Sequence, residues 1–224
     1  MKECSIMKKL TKLILVTLVT LLIASTASAA TLKVPSQYKT IQKAVNAAND
    51  GDTIQVANGK YQEVVTVKDK YLNIYGRTQG GKYKYYPQVQ GINLRSGGVI
   101  NGFTFTKSGV SLSKVGENTI RNNYFLKKGV NVVGETCSYN TIMNNQFFNC
   151  GISLSETYEN TVKGNTINSA DVGLGVYKGA DAMITGNTFS KCKVGYKGYY
   201  MPADLKKNNK FIKNKKNVVV DLNL

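Results

Sequence analysis

The sequence predicts an all-β fold, a single-stranded parallel β-helix, and three observations predict it. Apolar residues recur at Phe105, Phe125, Phe147, Ile167, Phe189 and Phe211, at intervals of 20, 22, 20, 22 and 22 residues, and a fixed period of this length marks a stack of repeated supersecondary units. A second series, Val110, Val130, Ile152, Leu174, Tyr196 and Val218, keeps the same beat, and most of its members follow a glycine. Between these positions Asn and Gly punctuate the chain so often that no window remains for a helical repeat, and the Leu-x-x-Leu-x-Leu spacing of a leucine-rich horseshoe is missing. What remains is one coil per repeat, each strand pairing with its equivalent in the next coil, so that like residues stack about 4.8 Å apart along the axis.

The elements follow in order. Lys8, Lys9 and Lys12 precede an apolar run from Leu13 to Ile23 and then the small residues of ASTASAA, the pattern of a secretory signal peptide over residues 1–29 with cleavage after Ala29. The run is shorter than the roughly 18 apolar residues that span a bilayer, so no transmembrane anchor is expected after cleavage. Residues 30–224 then form one parallel β-helix domain. Ile41, Ala44, Val45 and Ala48 share one helical face, Asp50-Gly51 is a stop and TIQVA from Thr53 is a strand; that short N-terminal helix covers the open core at one end, as solenoids require. Each later repeat has two alternating stretches, such as NTIMNNQF and GISLS, separated by turns.

Two amides before two phenylalanines, Asn144 and Asn145 ahead of Phe147 and Phe148, need a reason. In the stacked geometry Asn123, Asn145, Asn165, Asn187 and Asn209 fall at one turn, where each amide bonds to the next as a structural ladder and satisfies backbone groups at a sharp corner. Asn122, Asn144, Gly164, Gly186 and Asn208 just before them are residues that tolerate positive φ. The last rung, NVVVDLNL, is an apolar edge, and the lysines before it (Lys206, Lys207, Lys210, Lys213, Lys215 and Lys216) charge that edge against association, so a monomer is expected.

The repeat is similar to the right-handed β-helix repeats of the pectin-lyase-like superfamily, in particular NosD-type repeats, and PSQYKTIQKAVNAANDGDTIQVANGKYQE resembles the opening of pectin methylesterases and related β-helix proteins. The resemblance runs from Thr31 to the C-terminus and implies a right-handed helix of secreted or surface origin. It also implies a possible site of acidic-polysaccharide chemistry built on clustered aspartates. This chain is poor in such groups: the esterases' Gly-x-x-Asp-Phe motif has no counterpart, and Arg77, Arg95 and Arg121 are the only arginines.

Charge bounds the partners. The leader holds Lys2, Lys8, Lys9, Lys12 and Glu3, a net +3 of the chain's +17, which leaves about +14. Outside the cell that balance favours a polysaccharide or anionic cell-envelope polymer over nucleic acid, although solubility alone also accounts for it. Glu159 and Asp181, six residues before their ladder asparagines in consecutive coils, are the candidate catalytic pair, because neighbouring coils would bring two carboxyl groups to about 5 Å. Glu117 shares their phase, and Tyr139 and Ala203 interrupt the column. With no histidine in the chain, His-based triads and His-ligated zinc or copper are impossible, and no metal or cofactor is expected. Cys137, Cys150 and Cys192 are an odd set; Cys150 and Cys192 lie two coils apart, too far for a disulfide, and read as buried free thiols.

Tyr83, Tyr85 and Tyr86 in KYKYYP, and Tyr196, Tyr199 and Tyr200 in GYKGYYMP, interleave with lysines where the repeat is broken, and are the candidate ligand-binding residues, able to stack on sugar rings beside acidic groups. The reading is a secreted or surface-associated, non-catalytic β-helix protein that binds glycan or anionic envelope polymer. Its rival is a polysaccharide-modifying lyase, hydrolase or esterase acting through Glu159 and Asp181.

Overall fold

The structure, a computed structural model, describes residues 28–76 and 86–223. The leader up to Ala27 lies outside the described residues, as do Tyr83 and Tyr85. Every strand pairing is parallel, in one sheet of eight strands and one of thirteen. A coil contributes three strands rather than the two that the sequence suggests, because the ladder turn cuts the first stretch: Thr141–Met143, Gln146–Phe148 and Ile152–Ser155 are one coil. The first joins the eight-stranded sheet and the other two join the two arms of the larger sheet. Those arms meet in the ten-residue strand Thr104–Ser113, which pairs Tyr124–Phe125 with its first half and Val130–Val133 with its second. The cross-section therefore has three faces and three corners.

Inward-facing residues of all three faces fill the core. Phe105, Phe125 and Phe147 stack with centroids 4.7 Å apart, and Phe189 and Phe211 follow at 5.0 Å beyond Ile167. One coil rise is thus close to the contact distance of two rings. Each fully buried ring contributes about 1.5–3 kcal/mol through removal from water.

The corner between the eight-stranded sheet and the first arm is the asparagine ladder. Asn145 Oδ1 accepts from both the backbone N–H and the side-chain amide of Asn123, at 3.0 and 3.1 Å, and Asn145 Nδ2 donates onward to Asn165 Oδ1 and to Ile120 O. The same bonds continue through Asn187 to Asn209. All are inside the protein, so each amide replaces water as the partner of backbone that a sharp turn leaves open. Asn122 and Asn144 hold φ of 54°, and Gly164 and Gly186 are also left-handed. Asn208 departs from the series: it ends the four-residue helix Leu205–Asn208, which packs on Ala182–Thr185 where a further strand would lie.

At the other end the helix Ile41–Ala47 buries Ile41, Ala44 and Val45. Glu63 accepts from the N–H groups of Ile41 and Gln42, and Lys70 Nζ donates to Val45 O and Ala48 O, so opposite charges meet the two ends of the helix dipole. Gln42 bonds both the N–H and the C=O of Thr66, pairing the edge of strand Lys60–Val67 as a neighbouring strand would.

Candidate functional site

Charge is sorted between the two remaining corners. Where the two arms of the larger sheet meet, Lys107, Lys127, Lys128, Lys191, Lys193, Lys213, Lys215 and Lys216 are all exposed. Asp171 is the one acid in those turns, in an exposed pair with Lys193 at 2.7 Å that contributes little to stability. Beside the lysines runs the glycine series. A Cβ on Gly129 would lie 1.8 Å from Gly151 O, and one on Gly151 would lie 2.2 Å from Val172 O. Glycine is required there by the close approach of successive coils. The bare backbone leaves a trough of about 490 Å³ lined by Ser108, Ser111, Lys128, Asn131, Cys150 and Ser153.

Where the second arm returns to the eight-stranded sheet, the turns from Lys114 to Asp181 carry Glu117, Glu135, Glu156, Glu159 and Asp181 against Lys114 and Lys178, while the two earlier turns hold Lys68, Asp69, Lys70 and Arg95. Strand register puts Tyr71, Gly97, Glu117, Tyr139, Glu159 and Asp181 at one position in six successive coils. Glu117, Tyr139 and Glu159 hold φ of 60°, 60° and 52°, a conformation that costs a non-glycine residue on the order of 1–3 kcal/mol and is held by the surrounding bonds. The Tyr139 hydroxyl donates to Glu159 Oε1 at 3.1 Å. That bond, and then the charge of Glu159 with smaller contributions from Asp181 and Glu117, raises the Tyr139 pKa above its ordinary value. Beneath this surface lies a second ladder: Asn118 Nδ2 donates to Asn140 Oδ1 and Asn140 Nδ2 to Asn160 Oδ1. Sequence reasoning missed it, although Asn118, Asn140 and Asn160 each stand before a Thr-Ile or Thr-Val pair at the repeat interval.

Glu159 and Asp181 do meet in consecutive coils, but Asp181 Oδ1 accepts from the Glu159 backbone N–H. One of the two carboxylates thereby closes a turn, and the other receives Tyr139. The tyrosine clusters are corrected in part. Tyr196 is fully buried, with its hydroxyl donating to Tyr200 O at 2.7 Å and its pKa pushed far up by burial, and Tyr86 is 8% exposed. Tyr196 faces the interior because it continues the inward side of the strand series, in register with Leu174. Tyr199 and Tyr200 are half-buried, edge to face at 4.9 Å and packed against the core, so they offer ring edges rather than one flat platform. Tyr139, which interrupts the acidic column in the sequence, is instead bonded into it through Glu159.

Residues 36–223 match the family described as "periplasmic copper-binding protein (NosD)". The chain belongs to the NosD family. No curated protein and no solved structure gives a significant match. Among the described residues no helix is long and apolar enough to cross a membrane.

The family's description names copper, and the donor set of this NosD-family chain does not fit it. There is no histidine, and among the described residues no three Cys, Asp or Glu side chains converge. Cys137, Cys150 and Cys192 are buried and free, and lie against three different carbonyls, those of Val115, Phe125 and Ile167. Metals take the thiolate, whereas burial pushes the Cys150 thiol up to about 12 and raises the other two. Asn214 occupies the position of Cys150 and Cys192 in the last coil and donates to Phe189 O in the same manner, so those two cysteines fill a structural column.

Proposed function

We propose that this NosD-family protein is an exported, non-catalytic β-helix that binds a linear anionic polymer of the cell envelope, an acidic polysaccharide or a polyol phosphate, along its lysine corner. The observation that carries the reading is the segregation of charge: eight exposed lysines and one aspartate share the corner beside the glycine trough. Coils repeat about every 4.8 Å, so the lysines form two axial clusters, Lys107, Lys127 and Lys128 at one end and Lys191, Lys193, Lys213, Lys215 and Lys216 at the other, separated by the turns of Asn149 and Ser169, and an extended polyanion would span both. Serine and asparagine hydroxyls and amides on the trough floor supply hydrogen bonds to a polyhydroxylated chain. The non-catalytic part of the reading is supported by Asp181 and Glu159, whose carboxylates are engaged by neighbouring groups of the same corner.

The test is retention of the mature chain on immobilised polygalacturonate, on polyglycerol phosphate and on a neutral glucan. Retention on the anionic resins that falls steeply with salt, and is lost when Lys127, Lys128, Lys191 and Lys193 are changed to Glu, is expected. Equal retention on the neutral glucan, or none on either polyanion, overturns the proposal. Release of new reducing ends or of unsaturated products from these polymers would instead establish the enzyme reading, with Glu159 and Asp181 as the acids to mutate.

A further inference from the structure

The carboxylate corner holds a second concave surface with the opposite chemistry. A groove of about 500 Å³ runs across four coils, lined by Tyr71, Gly97, Val115, Glu117, Glu135 and Tyr139 among others, with no lysine or arginine in its wall. On a chain with 30 basic and 13 acidic residues, this concave wall holds two carboxylates and no cation, with Lys70, Arg95 and Lys114 in the same turns but outside it. The apolar groups at the groove are also set outward: Tyr71 is 39%, Val115 39% and Tyr139 57% exposed.

The groove is built by the fold. A Cβ on Gly97 would lie 2.7 Å from the Tyr71 ring, so that glycine is what lets the ring lie across the next coil. Glu117 N–H bonds Ser138 O, Tyr139 N–H bonds Tyr158 O and Ser138 Oγ bonds Glu135 O, which fixes the turns that carry Glu117, Glu135 and Tyr139. Tyr139 is further held by its bond to Glu159. Tyr71 and Tyr139 stand three coils apart in one column, about 14 Å at the strand spacing, with Glu117 between them.

We infer that this groove binds a linear amino-sugar chain, a β-1,4-linked hexosamine oligomer with free amines, in which ring faces stack on Tyr71 and Tyr139 and ammonium groups pair with Glu117 and Glu135. Aromatic rings with an apolar face and a polar tip suit the C–H face and hydroxyl rim of a pyranose. The carboxylates select the charge. An N-acetylated oligomer keeps the ring faces and loses the cations, while a uronate oligomer places anions against Glu117 and Glu135. This site is separate from the lysine trough and does not depend on the polyanion reading.

The experiment is calorimetric titration of the mature chain with a glucosamine tetrasaccharide, its fully N-acetylated counterpart and tetragalacturonate, below the amine pKa. The glucosamine oligomer is expected to bind about two- to thirtyfold more tightly than the acetylated one, the range that two rim ion pairs supply when stacking is common to both. Glu117→Gln with Glu135→Gln should remove that preference and leave the acetylated affinity unchanged. Tyr71→Ala should weaken both ligands. Tyr139→Phe keeps the ring and loses only the hydroxyl bond to Glu159, so it should keep most of the affinity for both ligands, and a Tyr71→Ala variant that binds both as the parent does overturns the stacking role. Changing Lys127 and Lys128 to Glu should leave glucosamine binding no weaker, which separates this site from the trough. Binding of tetragalacturonate in preference to glucosamine, or no change in the Glu117→Gln, Glu135→Gln variant, overturns the inference.

Discussion

The lysine corner and the carboxylate corner are made from the same repeat, the same strand spacing and the same kind of turn, yet they hold their shape for different reasons. At the lysine corner the backbone of successive coils is so close that glycine is needed for space: a Cβ on Gly129 would fall 1.8 Å from a carbonyl oxygen. At the carboxylate corner both needs occur: a Cβ on Gly116 would lie 1.9 Å from Ser138 O, whereas Gly134 has nothing within 4 Å of its Cβ position and is needed for its φ of +107°. The lysine turns are a surface of long, hydrated side chains over bare backbone. The carboxylate turns are tied down by Asn118, Asn140 and Asn160 below and by Tyr139, Glu159 and Asp181 above. The difference teaches that one solenoid presents two chemistries by changing only turn residues, because strand register fixes where each turn side chain emerges.

The largest effect that would break this comparison is on binding. Reversing Lys127, Lys128, Lys191 and Lys193 should weaken polyanion retention by roughly an order of magnitude at low salt, and an unchanged elution profile would show that the lysines are only a solvated face. Next is Gly129→Ala, expected to cost about 3 kcal/mol because backbone must move to admit the methyl group. Gly134→Ala should cost about 1 kcal/mol, the penalty of a left-handed Cβ without a clash. Equal shifts in thermal midpoint for the two would erase the distinction between space and dihedral.

Smaller effects sharpen the picture. Asn145→Ala removes a rung that is bonded above and below, and should cost about 1–3 kcal/mol. Asn118→Ala should cost less, because Asn118 Oδ1 begins its ladder without an acceptor bond of its own. Lys127→Ala, at the surface, should stay within about 0.5 kcal/mol. The smallest effect is spectroscopic: the phenol of Tyr139 should titrate above the ordinary tyrosine value of 10.0 and return toward it in Glu159→Gln, followed by NMR. Burial also couples Cys150 to alkaline stability. Its folded pKa is about 12 against 9.0 in the unfolded chain, so the unfolded state releases this proton first. Stability from this thiol is complete below about pH 9 and declines between pH 9 and 12; Cys150→Ala should flatten that part of the denaturation profile.

Much of the fold was legible because a solenoid repeats its physics. The phenylalanine series and the asparagine series announced the stacked columns, and the apolar face from Ile41 to Ala48 announced the capping helix, since each is a local pattern with a period. The candidate sites were less legible. Glu159 and Asp181 were placed in adjacent coils by counting, but counting does not say that Asp181 turns onto the backbone N–H of Glu159. Tyr196 read as a surface aromatic from its lysine neighbours, when its place after Gly195 in the strand series already put it on the inward side.

By itself the sequence determined the period, the columns and the exclusion of histidine chemistry, because these depend on residue identity at fixed intervals and a parallel stack converts interval into contact. Only the tertiary structure decided which corner each turn occupies. Turn residues ten positions apart in the chain, such as Lys107 and Glu117 or Lys191 and Asp181, emerge from different corners of the cross-section, while residues some 20 to 26 apart, such as Tyr71, Gly97, Glu117 and Tyr139, share one groove. Charge that is mixed along the chain is therefore separated in space, and that separation depends on the lengths of the coils and their closure, which a local pattern does not carry.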